Sequence, residues 1–435
     1  MGGNTRIRIS SFVLRFLYTL ILYLGTPVLL AHAGWTGWRN PAHWRRLPER
    51  FGFSTAVPQA GNTVWLHAAS VGEVEAAIPL IQAVRERYPT LQLVITTMTP
   101  TGAQHAEQRL EGQAVHRFLP YDLPSAVNRF LKRVGPRLAL VMETELWPNL
   151  FEACGRQGVP IILVNARMSE RSVVGYRRVA ELTRGTLSKV RAVAAQSRLD
   201  ADRFISLGVE PSKVTVAGSI KFDTRLPKGL IEKAASLRRF LGVDRPVWIA
   251  ASTHNNEETM ILDAFEHVLA VHPSCLLIIA PRHQERFARV ATICKKRGFN
   301  TVRASQDNGY KPNTQVFIVD SLGDLPMYYA VSDIAFVGGS LVPRGGHNML
   351  EPASLGVPVV MGPHLANFEE ISGWLLGVGA AWVVNDVGEL ASKVLSLLAD
   401  SSLRQRTGEM GRRVVDEHRG SVERIMTLLS PYLTA

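Results

Sequence analysis

After residue 58 the chain alternates short, almost purely apolar runs with longer stretches in which apolar and polar positions recur at helical spacing. The runs expected to be strands are 63–67, 92–96, 115–119, 138–142, 161–164, 192–195 and 214–217. A second series follows at 247–251, 276–280, 316–319, 334–337, 357–361 and 381–384. Apolar residues at consecutive positions predict strands buried on both faces, and intervening helices predict parallel connections. Pro358 falls near the start of its run, where a missing N–H is best tolerated. A more charged stretch, 221–245, with Pro227, Gly229 and Gly242, separates the series and reads as a hinge plus the first helix of a second half. The pattern predicts two α/β domains of Rossmann type, 41–224 and 225–435, facing across a cleft. Their chemistry is expected beyond the carboxyl ends of the strands.

Before these lies a different pattern. From Phe16 to Trp38 there is no formal charge, so residues 1–40 read as a hydrophobic membrane anchor broken by Gly25 and Pro27. Tyr18, Tyr23, Trp35, Trp38 and Trp44 supply interfacial rings. Ala31-His32-Ala33 also fits a signal-peptidase site. Arginines flank the segment on both sides, so it either spans the bilayer or lies in its plane.

Composition narrows the class. With 46% hydrophobic and 20% charged residues the chain can build large cores, which excludes global disorder. The three cysteines are isolated, so neither a disulfide scaffold nor a cysteine zinc cluster is expected. The net charge is +12, but residues 1–58 alone contribute +6 through Arg6, Arg8, Arg15, Arg39, Arg45, Arg46 and Arg50 against Glu49. That concentration fits a membrane surface, and no basic stripe with interleaved aromatics points to nucleic acid.

The strand ends carry the candidate chemistry. Ser70-x-x-Glu73 has capping-box spacing, with Glu73 also a carboxylate able to take a proton from a hydroxyl. Glu143 and Glu145 follow the run 138–142, where sheet packing requires no charge, and one of them is expected to cap the helix near Pro148. Lys221 follows another strand end. In the second half, strands end in Ser252-Thr253-His254, Pro281-Arg282-His283 and Gly338-Gly339-Ser340, the last followed by Arg344-Gly345-Gly346-His347-Asn348. Three histidines at equivalent ends of one sheet are not expected of core fillers, and no HxxxH or HExxH spacing supports zinc. The Gly345-Gly346 turn, with a helix expected to open at about Asn348, suits a phosphate, and Glu351 suits ribose hydroxyls. Asp200 and Asp202 match a D-x-D metal motif but read better as first-turn helix acids.

Together these segments resemble the 3-deoxy-D-manno-octulosonic acid (Kdo) transferases of lipid A assembly, glycosyltransferases of the two-Rossmann GT-B type. The matching segments are HAASVGE (67–73), METELWP (142–148), VNARMSERS (164–172), GSIKFD (218–223), ASTH (251–254), APRH (280–283), DSLGDL (320–325), FVGGSLVPRGGHNMLEPASLGVPVVMGP (336–363) and Asn367-Phe368. The resemblance implies Glu73 as catalytic base, with Glu143 and Lys221 stabilising the transition state. It implies CMP contacts at Pro281, Arg282, Leu322, Gly323, Asp324, Asn348, Met349, Leu350 and Glu351. Ser219 stands where the family usually has Asn, and Asp324 where it usually has Glu. The implied reaction is inverting and metal-independent, without cofactor. It moves Kdo from CMP-Kdo to a lipid A precursor (lipid IVA) at the cytoplasmic side of the inner membrane. The alternative is a GT-B enzyme with a UDP-sugar donor.

Overall fold

The apolar runs become two all-parallel sheets. The structure, a computed structural model, describes residues 11–39, 46–57, 61–223, 226–227, 229–306, 310–321 and 323–434. In the first sheet β1 (Thr63–His67), β2 (Gln92–Thr97), β3 (Val115–Phe118), β4 (Pro136–Met142), β5 (Ile161–Ala166), β6 (Val190–Ala195) and β7 (Val214–Val216) take the order β3-β2-β1-β4-β5-β6-β7. In the second, β8 (Val247–Thr253), β9 (Leu276–Pro281), β10 (Thr301–Arg303), β11 (Val316–Ile318), β12 (Ile334–Val337), β13 (Val359–Met361) and β14 (Ala381–Val383) take the order β10-β11-β9-β8-β12-β13-β14.

The continuous hydrophobicity of the runs has a direct cause. Along β1, Val64 and Leu66 enter the core on one face, while Trp65 enters the core on the other. Trp248 and Ala250 of β8 likewise oppose Val247, Ile249 and Ala251. Both faces are covered by helices, so positions of both parities are mostly apolar, with buried polar residues such as Thr63, His67 and Thr96 at the strand ends. β10 escaped the sequence reading because its three residues are only half-buried at the sheet edge. Pro358 ends up just outside β13. Its carbonyl accepts from the Ala335 N–H at 3.0 Å, and its lack of an N–H keeps it out of the ladder.

The chain divides into two compact units, Met1–Asp223 with Arg419–Ala435, and Thr224–His418. The second unit therefore stops at His418, short of the expected 435. The last helix, Ser421–Leu433, belongs to the first unit because Ile425, Met426 and Leu429 fill its core. The Asp223 carboxylate receives the N–H groups of Gly420 at 2.6 Å and Val422 at 2.5 Å, satisfying donors that the helix start leaves open.

The hydrophobic segment forms one helix, Ser11–Arg39, with Pro27 inside it. It docks on the first unit through polar side chains: Arg15 with Glu152 at 2.6 Å, Tyr18 donating to Asp122 at 3.1 Å and Thr19 donating to Asn149 at 3.0 Å. Phe12, Phe16, Ile21, Leu24 and Val28 are left exposed. Arg6, Arg8, Arg45 and Trp44 lie outside the described residues.

Candidate functional site

In each sheet the strand order reverses once beside the first strand, between β1 and β4 and between β8 and β12. Such switch points open a crevice beyond the carboxyl ends of the strands. Among the described residues, the non-glycine residues with positive φ are Glu143 (54°), Asn165 (52°), Ser252 (57°) and Asn256 (72°). All lie at or just beyond the carboxyl ends of β4, β5 and β8. Left-handed backbone costs on the order of 1 kcal/mol for such residues and gathers where the site, not the fold, sets the conformation.

At the first switch point, β1 runs through Ala68 and Ala69 into Ser70, the N-cap of the helix Val71–Arg87. Ser70 Oγ accepts from the Glu73 N–H at 3.4 Å and donates to Glu73 Oε1 at 3.2 Å. The other carboxylate oxygen takes the Ala69 N–H at 2.9 Å, one residue earlier than an ordinary capping box. Burial lifts the Glu73 carboxyl to about 7, the Ala69 bond opposes this, and the charges of Glu143 and Glu145 add to it. Burial, with Glu143, also raises Glu145. Neither acid is the N-cap of the helix Pro148–Arg156; that position is Trp147, and the buried Asp122 carboxylate accepts the Asn149 and Leu150 N–H groups instead. Lys221 lies on the turn Ile220–Asp223, which Asn165 ties to β5 by accepting the Ile220 N–H at 3.1 Å. Asn165 Nδ2, Thr144 Oγ1 and His67 Nε2 are buried here without a protein hydrogen-bond partner.

The second switch point is cationic. His254 after β8, His283 after β9 and His347 converge: the His254 and His347 Nε2 atoms are 2.7 Å apart, and the His283 ring stands edge-on to His254 at 5.3 Å. Burial, then His283, Arg344, Arg282 and Arg286, push His254 down to about 4. Burial, then Arg282, His254 and His283, push His347 to about 3. An anion fits such a field. Pro281 ends β9 and is buried, whereas the Arg282 side chain is exposed and its N–H donates to Thr253 O at 3.0 Å. Gly345, at φ 89°, has no room for a side chain: a Cβ would stand 2.5 Å from Asn367 Nδ2.

The remaining expected donor contacts fall as follows. Gly323 (φ 89°) and Asp324 are exposed, and Asp324 is the N-cap of the helix Leu325–Ala330 without a side-chain cap bond. Leu322 lies outside the described residues. The helix expected at about Asn348 begins at Leu350 and ends at Ser354. So short a helix has little macrodipole to attract an anion. Asn348 accepts from the Leu350 N–H at 3.0 Å and donates to Glu351 at 3.2 Å, orienting that carboxylate. Met349 and Leu350 are buried. Asp200 is a helix-start acid, as read from sequence: it accepts from the Met168 N–H at 2.8 Å and the Ser197 hydroxyl at 2.5 Å.

The sequence model described as 3-deoxy-D-manno-octulosonic-acid transferase (kdotransferase) matches residues 45–224. The chain is 41% identical over 423 residues to the 3-deoxy-D-manno-octulosonic acid transferase of Haemophilus influenzae, covering 96% of this chain and 99% of the relative. It belongs to the 3-deoxy-D-manno-octulosonic acid transferase family. The Bordetella pertussis transferase of the same name is 36% identical over 432 residues, with 96% and 99% coverage. Members of this family are glycosyltransferases, and the chain is an enzyme of that class. A solved UDP-GlcNAc 2-epimerase from Neisseria meningitidis, bound to UDP-GlcNAc, superimposes with TM-score 0.53 at 14% identity over 85% of this chain and 100% of the other. At that identity it shows the GT-B-like fold alone, so the Kdo reading stands over the UDP-sugar alternative.

One buried carboxylate near the second switch point went unread in the sequence. Glu257 is fully buried, and its carboxylate accepts four N–H groups, from His254 (3.0 Å), Gly339 (2.8 Å), Ser340 (3.1 Å) and Leu341 (3.0 Å). It thereby fixes the β12 loop against the β8 end. The signal was present in the spacing His254-x-x-Glu257, which repeats Ser70-x-x-Glu73 after the first strand of the second unit.

Proposed function

We propose that this transferase moves Kdo with inversion from CMP-Kdo to the hydroxyl of a lipid A precursor, with Glu73 as general base. The observation that carries the reading is the Glu73 carboxyl itself: poised near 7 and oriented by Ser70 and Ala69, it can exchange a proton at working pH. Glu143 and Lys221 stabilise the charge that develops during transfer. The donor's phosphate is held in the second unit by Arg282 and the histidine cluster, with Pro281, the Leu322-Gly323-Asp324 loop and backbone at Asn348, Met349 and Leu350 around the nucleotide. Glu351 accepts the ribose hydroxyls. Protein cations supply the charge that leaving cytidylate requires, so no metal is invoked.

The acceptor is a lipid, and the Ser11–Arg39 helix serves that substrate. Its polar side chains, Arg15, Tyr18 and Thr19, are spent on the first unit, while Phe12, Phe16, Ile21, Leu24 and Val28 face away. A helix whose early turns are held sideways in this manner fits an orientation in the membrane plane. The membrane is the inner one, and the catalytic units are on the cytoplasmic side where the CMP-sugar is made.

Transfer from freshly generated CMP-Kdo to lipid IVA, native against Glu73→Gln, tests the reading. The expected result is a rate loss of about 10²–10⁴-fold with CMP affinity unchanged. A near-native rate would return Glu73 to helix capping, and no product from the native chain would remove the donor assignment.

A further inference from the structure

Two histidines brought together from positions 93 residues apart meet nitrogen to nitrogen at the second switch point. Their rings are within 6° of parallel with centroids 5.0 Å apart, while the Nε2 atoms are only 2.7 Å apart. The centroid separation is the nitrogen separation extended by one ring radius at each end. The rings therefore lie end to end in a common plane, not face to face. This is the geometry of an N–H···N hydrogen bond, and it admits one proton between the two nitrogens. One Nε2 donates and the other accepts. In the neutral pair, the accepting histidine then carries its own proton on Nδ1 and the donating one leaves Nδ1 bare. Neither Nδ1 has a protein partner among the described residues.

The surrounding chain is built to allow this contact. Gly339 has φ 70°, and a Cβ there would stand 2.9 Å from His347 Cδ2 and 3.4 Å from His254 Cδ2. Glu257 anchors both sides of the pair, taking the backbone N–H of His254 and of Gly339. The groups facing the pair are the cations Arg282, Arg344 and Arg286 and the imidazole of His283. Of the nearby acids, Glu257 is occupied by backbone donors and Glu258 is paired with Arg286 at 2.8 Å. The guanidinium groups stay charged and bind anions without titrating, so His283 is the other titratable side chain facing the pair.

We propose that His254 and His347 form a proton-holding dyad that gains a proton when a nucleotide phosphate binds and gives it to the cytidylate as it departs. The proposal rests on CMP-Kdo being the donor. The bond between the anomeric carbon and the phosphate oxygen breaks, and its electron pair stays on that oxygen, which takes the proton from an Nδ1–H of the dyad. The acceptor oxygen bonds to the anomeric carbon, and its proton goes to Glu73. Charge balances, and the dyad ends neutral.

The electrostatics give the direction. In the free chain, burial and neighbouring cations hold both rings neutral at pH 7. A phosphate against Arg282 and Arg344 offsets that repulsion and adds a negative partner, and both effects favour the protonated dyad. Proton uptake therefore accompanies binding, and affinity rises as pH falls below the bound dyad's titration point.

Calorimetry of CMP binding to the full chain at pH 7, in two buffers of different ionisation enthalpy, reads this proton directly. The native protein is expected to take up a substantial fraction of, and up to about one, proton per CMP, and cytidine none. In H347Q and H254N, each verified as folded by its melting curve, uptake on CMP binding is expected to fall by more than half. Turnover is expected to fall about 10²-fold, with a smaller change in KM. Two variants guard against one failing to fold. Equal uptake in native and variant protein, or uptake with cytidine, overturns the dyad alone. Absence of CMP binding by the native chain overturns it together with the donor assignment.

Discussion

Glu73 caps the helix after β1, and its spacing from Ser70 revealed that role; its proposed service as a base depends on more than spacing. The capping geometry is local and readable in the sequence; the lift to about 7 comes from burial and from Glu143 and Glu145, about seventy residues away in the chain. A base must be ionised, so kcat/KM is expected to rise with pH through about 7. Glu143→Gln removes a negative neighbour, lowers the Glu73 pKa and moves that midpoint downward; a midpoint that stays or moves upward would count against the coupling. Stability follows the same sign. Because the folded-state value lies above the ordinary one of 4.5, the contribution is complete below about 4.5 and is lost as pH rises through about 7. Glu73→Gln is thus expected to stabilise the chain at pH 8 by on the order of 2 kcal/mol relative to its effect at pH 4, measured by denaturant titration at both.

Elements buried on two faces were readable because a parallel strand covered by helices has few polar positions to confuse the pattern. The short edge strand β10 was not: its three half-buried residues draw their stability from neighbours, not from their own periodicity. The Ser11–Arg39 helix is the instructive case. Its apolar run was plain, but its docking through Arg15, Tyr18 and Thr19 was not, and that docking supports the proposed in-plane orientation. Single cysteines replacing Phe12, Phe16, Leu20 and Leu24, each carrying a fluorophore, are expected to report one shared shallow depth in lipid vesicles with depth-graded quenchers. A depth that increases steadily along the helix would establish a spanning orientation instead.

At the scale of the whole molecule, the last seventeen residues, 419–435, belong to the unit formed by the chain's beginning. Ile425, Met426 and Leu429 are fully buried there, and Asp223 caps their helix. Leu429→Ala is expected to cost about 2–5 kcal/mol, confined to the first unit. Hydrogen exchange checks this: β1 amides lose protection while β8 amides keep theirs. Equal loss in both would show that the two units unfold together.

The sequence by itself determined the kinds of element, the two α/β halves and, through many ordered motifs, the family. These depend on residues close together along the chain, where periodicity, caps and turns are written. Tertiary structure alone decided the strand order, the four N–H groups on Glu257, the nitrogen contact between His254 and His347, the ionisation of Glu73 and the unit to which the final helix belongs. Each of these depends on distance and burial between residues far apart in sequence, and those are set only when the chain packs.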